Sequence, residues 1–150
     1  MKISRKTRYP VSFPTTPKKL TATKLTPVKA IELSVKKWEW MLNNVNNQED
    51  AAICDDNMVV SSDTCALCKF YDDSSQKSHW MACTDCPLRR ETEGKVYDCC
   101  NEFHSADIAL TAYAFGLVGK PVWRKECGAM IGRLREELRK LVDPARISWS

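Results

Sequence analysis

Two Cys-x-x-Cys knuckles, Cys65/Cys68 and Cys83/Cys86, stand 14 residues apart in the middle of this chain and restrict its fold more than any other feature. From Asn46 to His104 only ten of 59 residues are Leu, Ile, Val, Met or Phe, too few to hold a packed layer unaided. Two thiolates separated by two residues can reach one ion, and four of them satisfy a tetrahedral zinc. Structural zinc contributes ~10 kcal/mol or more to folding at neutral pH, which would supply the missing order. The sequence therefore predicts a structural Zn2+ held by Cys65, Cys68, Cys83 and Cys86. An iron-sulfur cluster is the competing use of the same sulfurs.

Disulfides fit less well. Residues 1 to 30 contain no continuous apolar run of the kind a secretory leader needs, so the expected compartment is cytoplasmic and reducing. Cys99, Cys100 and His104 form a third cluster, reserve ligands that could displace a knuckle cysteine. Cys54 and Cys127 read as non-ligands, Cys127 because it falls on an apolar helical stripe where a free thiol behaves as a small hydrophobe.

The net charge of +4 conceals an asymmetry. Residues 1 to 30 carry eight cations (Lys2, Arg5, Lys6, Arg8, Lys18, Lys19, Lys24, Lys29) and no acid, so the rest of the chain is at −4. With Pro10, Pro14, Pro17 and Pro27, residues 1–29 read as a basic arm, disordered or extended. Residues 30–150 read as one zinc-binding domain, with the zinc module at about 54–104 and C-terminal helices at about 105–142. Lys2, Arg5, Lys6, Arg8, Lys18 and Lys19 are the candidate nucleic-acid contacts, binding phosphate by charge alone. Between the knuckles Lys69 and Lys77 are outnumbered by Asp72, Asp73 and Asp85, which argues against DNA reading by the zinc module itself.

The fold class expected is mainly α. Ile31, Val35, Trp38, Leu42 and Val45 recur at helical spacing, and Asn43, Asn44, Asn46 and Asn47 end that helix. Ser105 reads as the cap of a second helix stopped by Gly116 and Gly119. A last helix starts near Pro121 and carries Trp123, Cys127, Met130, Ile131, Leu134, Leu138 and Leu141 on one stripe, with Asp143-Pro144 closing it. That stripe packs on the other helices or, alternatively, forms a homodimer seam. Arg133, Arg135, Arg139 and Lys140 are interleaved with Glu136 and Glu137, as on a solvated face. No apolar stretch approaches the ~20 residues of a membrane span.

Catalytic patterns are weak. A cytidine-type deaminase needs His-x-Glu before Pro-Cys-x-x-Cys, whereas here His79 precedes Trp80 and Pro87 follows its knuckle. Cys100 with His104 is the one nucleophile and base pair near in sequence. The segments Ala30 to Glu39, Cys65-Ala-Leu-Cys68-Lys-Phe-Tyr71 and Cys83-Thr-Asp-Cys86-Pro87-Leu88, with Cys99, resemble small cysteine-rich proteins encoded by bacteriophages and prophages, over roughly residues 30 to 110. The resemblance implies a viral accessory protein in a bacterial cytoplasm, with Cys65, Cys68, Cys83, Cys86 and Cys99 matching the group's cysteine pattern. The reading is a non-enzymatic zinc protein that binds a nucleic acid or nucleoprotein machine through its arm. The alternatives are an inhibitor of a host defence or transcription enzyme and, third, a zinc- or cysteine-dependent enzyme.

Overall fold

A computed structural model describes residues 12–57, 59–60, 65–67, 69–70 and 101–142, and the backbone of 90–92 and 95–97. The fold is mainly helical: α1 Pro17–Ala22, α2 Pro27–Asn44, α3 Gln48–Asp56, α4 Asn101–Ala114 and α5 Lys120–Val142, with a hairpin of β1 Arg90–Thr92 and β2 Lys95–Tyr97 before α4. The strands are antiparallel in the register Arg90↔Tyr97, Glu91↔Val96 and Thr92↔Lys95.

Two threonine-proline pairs start the first two helices. The Thr16 hydroxyl accepts the Lys19 N–H at 3.2 Å and the Thr26 hydroxyl that of Lys29 at 3.1 Å. Pro17 and Pro27 each follow as the first helical residue, where a missing N–H costs nothing. At α3, Asn47 accepts the Asp50 N–H at 2.8 Å while Asp50 accepts the Asn46 N–H at 3.0 Å, a reciprocal cap. α4 ends on Gly116, whose φ of 75° suits a residue without Cβ. Its N–H donates to the Tyr113 carbonyl and that of Leu117 to the Ala112 carbonyl, so the last turn's orphan acceptors are satisfied.

The apolar stripes then determine packing. α5 lies against both α2 and α4, and α3 against α4. Ile31, Val35, Trp38 and Val45 of the first stripe are buried, with Leu42 partly so. Trp123, Cys127, Met130, Ile131 and Leu134 of the last stripe are buried within the same chain, which corrects the homodimer seam: those side chains are already covered by α2 and α4. Only the stripe's distal end stays open, with Leu138 half-covered and Leu141 exposed.

Three other expectations change. The basic arm is not extended or disordered over 12–29: Phe13 and Thr15 are fully buried and Leu20 nearly so, because Pro17 and Pro27 start helices behind threonine caps and Phe13 and Leu20 anchor α1. The Phe13 ring meets Trp40 edge to face at 5.2 Å, and the Trp40 indole donates to the Ser12 hydroxyl at 2.9 Å. The segment from Asn46 to His104 is not uniformly loop, since it contains α3, the hairpin and the start of α4. α4 begins at Asn101, one turn before Ser105. Asp143-Pro144 and residues 1–11 lie outside the described residues.

The charged face of α5 is laced with ion pairs as expected. Arg133 reaches Glu102 at 3.3 Å and Glu137 at 3.1 Å, Lys140 reaches Glu137 at 3.3 Å, and Arg139 reaches Glu136 at 3.6 Å. Arg135 pairs with Glu39 of α2. Such exposed pairs contribute about 0–1 kcal/mol each.

Candidate metal centre

Of the four predicted ligands the structure describes Cys65; Cys68, Cys83 and Cys86 lie outside the described residues, as do Cys99, Cys100 and His79. Cys65 is half-buried at the start of a helical turn, and the Lys69 N–H donates to its carbonyl at 2.9 Å. Ala66 and Leu67 behind it are fully buried and Phe70 packs on the same core. Ala66, Leu67 and Phe70 thus fasten the turn that carries Cys65 to the helical body. Among the described residues no group of three or more His, Cys, Asp or Glu side chains is placed to hold a metal ion.

Two cysteines are separated from this chemistry by burial. Cys54 on α3 is in the core, and burial, with Asp50 and Asp55 adding, pushes its thiol up to about 12. Cys127 on α5 is buried among the helices and its thiol donates to the Trp38 carbonyl at 3.4 Å. Burial pushes it too up to about 12, against a smaller opposing effect of Arg124. A ligand or nucleophile must be a thiolate, so neither supplies one at neutral pH. This agrees with their reading as packing residues.

His104 sits in the first turn of α4, half-buried, its ring edge-on to Phe103 at 5.6 Å. Phe103 in turn meets Trp38 edge-on at 6.1 Å, which fixes the start of α4 against α2. Asp107, one turn on, is pushed above the usual carboxylate range, first by burial and then by Asp55, with His104 and Lys37 opposing. Asp55 accepts the Thr111 hydroxyl at 2.9 Å, so α3 and α4 also share a polar contact. The two residues are 56 apart in the chain, so no local pattern in the sequence signals this contact.

Of the proposed phosphate contacts, Lys2, Arg5, Lys6 and Arg8 lie outside the described residues. Lys18 is exposed on α1. Lys19 is exposed too, but its ammonium donates to the Phe13 carbonyl at 2.8 Å, so part of its role is to hold the α1 turn. Charge differs between the helices. α3 and α4 together carry Glu49, Asp50, Asp55, Asp56, Glu102 and Asp107 without one Lys or Arg. α1 carries only cations, whereas α2 and α5 mix theirs with Glu32, Glu39, Glu126, Glu136 and Glu137. Ile108 on α4 and Phe115, just beyond its end, are 69 % and 70 % exposed. Among the described residues no helix is long and apolar enough to cross a membrane.

No family model, curated protein or solved structure matches this chain.

Proposed function

We propose that this is a non-enzymatic, zinc-stapled accessory protein of the bacteriophage type, acting by binding in a bacterial cytoplasm. Cys65, Cys68, Cys83 and Cys86 supply the thiolates for one Zn2+, which orders the segment between α3 and α4. The binding role belongs to the basic N-terminus, which engages a nucleic acid or nucleoprotein through Lys2, Arg5, Lys6, Arg8 and Lys18, with Lys19 in part. The observation that supports it is the concentration of cations at the N-terminus. From residue 12 through α1 to Lys29 the arm carries Lys18, Lys19, Lys24 and Lys29 and no acid, and Phe13 and Leu20 anchor it on the core, so these cations continue the charge of Lys2, Arg5, Lys6 and Arg8. A polyanion approaching the arm then meets further cations. Phosphate binding of this kind releases counterions, so affinity falls steeply as salt rises.

The test is titration of the full chain into duplex and single-stranded oligonucleotides at several salt concentrations, with Lys2, Arg5, Lys6 and Arg8 changed to Gln in the comparison protein. Equal affinity of the two proteins at low salt refutes the arm's role. The second reading is docking on a host protein and blocking it, favoured by the exposed apolar side chains of Ile108 in α4, the helix that packs on acidic α3, and of Phe115 just after it. Ile108→Glu abolishing capture of a host protein, with oligonucleotide binding intact, selects that reading.

A further inference from the structure

Residues 115–119 connect α4 to α5, and none of them carries a polar side chain. Val118 packs on the core, but Phe115 and Leu117 are 70 % and 79 % exposed, and Val122 in the first turn of α5 is 43 % exposed. The turn that presents them is hydrogen-bonded throughout its first half. The N–H groups of Phe115, Gly116 and Leu117 donate to the carbonyls of Thr111, Tyr113 and Ala112 at 3.1, 3.0 and 2.9 Å. A defined turn that holds large apolar side chains in water is the mark of an interaction surface.

Opposite charges flank this end of the molecule. α4 lies against α3 on one side and α5 on the other. On the α3 side, the Gln48 amide donates to the Ala114 carbonyl at 3.3 Å and lies 3.1 Å from where a Cβ at Gly116 would stand, which brings the exposed Glu49 beside the turn. On the α5 side, the exposed Lys125 is three residues from Val122 and so its neighbour on the helix surface. Neither charge has an opposite within helical reach: Glu49 has Val45, Asn46, Ala52 and Ile53 three and four residues away, and Lys125 has Pro121, Val122, Gly128 and Ala129. Among the described residues neither is in an ion pair, whereas Arg133, Arg135, Arg139 and Lys140 of α5 are all paired with Glu.

We propose that this end is the interface of a two-fold homodimer, in which Phe115, Leu117 and Val122 of two copies pack together and Glu49 of each copy faces Lys125 of the other. A second copy is the occupant that the charges select. A two-fold axis through the apolar centre carries the acidic flank of one protomer onto the basic flank of its partner, so both charges are answered, whereas a partner of one sign answers only one of them. The interface uses neither the zinc nor the arm, and it leaves the buried stripe of α5 where it is.

Sedimentation of the full-length protein over a concentration series, from micromolar to near-millimolar, should show a monomer–dimer equilibrium. Leu117→Glu should be monomeric throughout. Glu49→Lys and Lys125→Glu should each weaken self-association by about tenfold or more, since like charges then meet across the axis. An equimolar mixture of those two variants should dimerise as the wild type does, because each contact again joins opposite signs. Melting of all three variants in dilute solution, where the monomer prevails, should match the wild type, which separates loss of the dimer from loss of the fold. A wild type that stays monomeric across the series overturns the proposal and leaves the apolar end to another partner, such as the host protein of the second reading. A dimer that survives Leu117→Glu, or a mixture that associates no better than its two components alone, overturns it equally.

Discussion

Phe13→Ala should be among the most damaging single substitutions in this protein, although a reader of the sequence would place residue 13 in a dispensable tail. The ring is fully buried and stands edge-on to Trp40 at 5.2 Å, while the backbone at the same residue receives the Lys19 ammonium. Truncating a buried Phe to Ala costs about 3–5 kcal/mol, the lost transfer energy plus the cavity. The aromatic pair accounts for about 0.5–1.5 kcal/mol beyond area alone. Taking about 4 kcal/mol and about 3 °C per kcal/mol for a chain of this size, the midpoint should fall by roughly 12 °C. Urea denaturation followed by Trp fluorescence measures the same loss, with the slope unchanged if the native state otherwise persists. Phe13→Leu, which refills most of the space, should cost only about 1 kcal/mol. A loss below about 1 kcal/mol for Phe13→Ala would mean that residues 12–22 do not pack on α2 in solution. Deleting residues 1–26 should destabilise in the same way, whereas deleting 1–11 spares Phe13, Thr15 and Leu20.

Chelating the metal, or changing Cys68 to Ser, should lower the melting temperature of the whole chain, since metal binding at such a segment is folding free energy; unchanged melting of metal-free protein in calorimetry counts against this. Changing Lys2, Arg5, Lys6 and Arg8 to Gln should reduce the slope of log affinity against log salt for duplex DNA by about 3 to 4, as four phosphate contacts require. Cys54 and Cys127 have folded-state pKa values raised from 9.0 to about 12, so the native state binds more protons than the unfolded chain across that range. Stability should therefore decline as pH rises from about 9 to 12, and Cys127→Ala should flatten that decline in denaturant titrations made at each pH. Ile108→Glu and Phe115→Asp should leave the midpoint within about 0.5 kcal/mol of wild type, because both side chains face solvent; a larger loss would show that this face is covered in the native chain.

Large apolar residues at helical spacing made α2 and α5 legible, and Trp38, Trp123, Met130 and Leu134 occupy the core that the pattern implied. α1 was hidden by its prolines. Pro17 and Pro27 read as breakers until Thr16 and Thr26 are counted as caps, and then the same residues read as helix starts. α3 escaped because its buried face is only Ala51 and Cys54, too small to leave a periodic signal. The hairpin's strands are three residues each, too short to leave an alternating apolar signal. Cys127 was legible as a packing residue from its place on the apolar stripe, and Cys54, for which no pattern spoke, is buried as well. Of the four proposed knuckle ligands only Cys65 falls among the described residues, so the ligand set rests on spacing.

The packing of α2 on α5 has a consequence for synthesis on the ribosome. Between Asn44, where α2 ends, and Val142, where α5 ends, the ribosome must add almost a hundred residues. At about 5–20 residues per second, the face bearing Ile31 and Trp38 waits roughly 5–20 s for its cover. The cysteines from 65 to 100 emerge within that interval, ahead of α5. Under the proposed zinc reading, metal capture precedes closure of the helical body, and a cell short of zinc would leave a nascent chain with its tryptophan face open and its thiols unprotected.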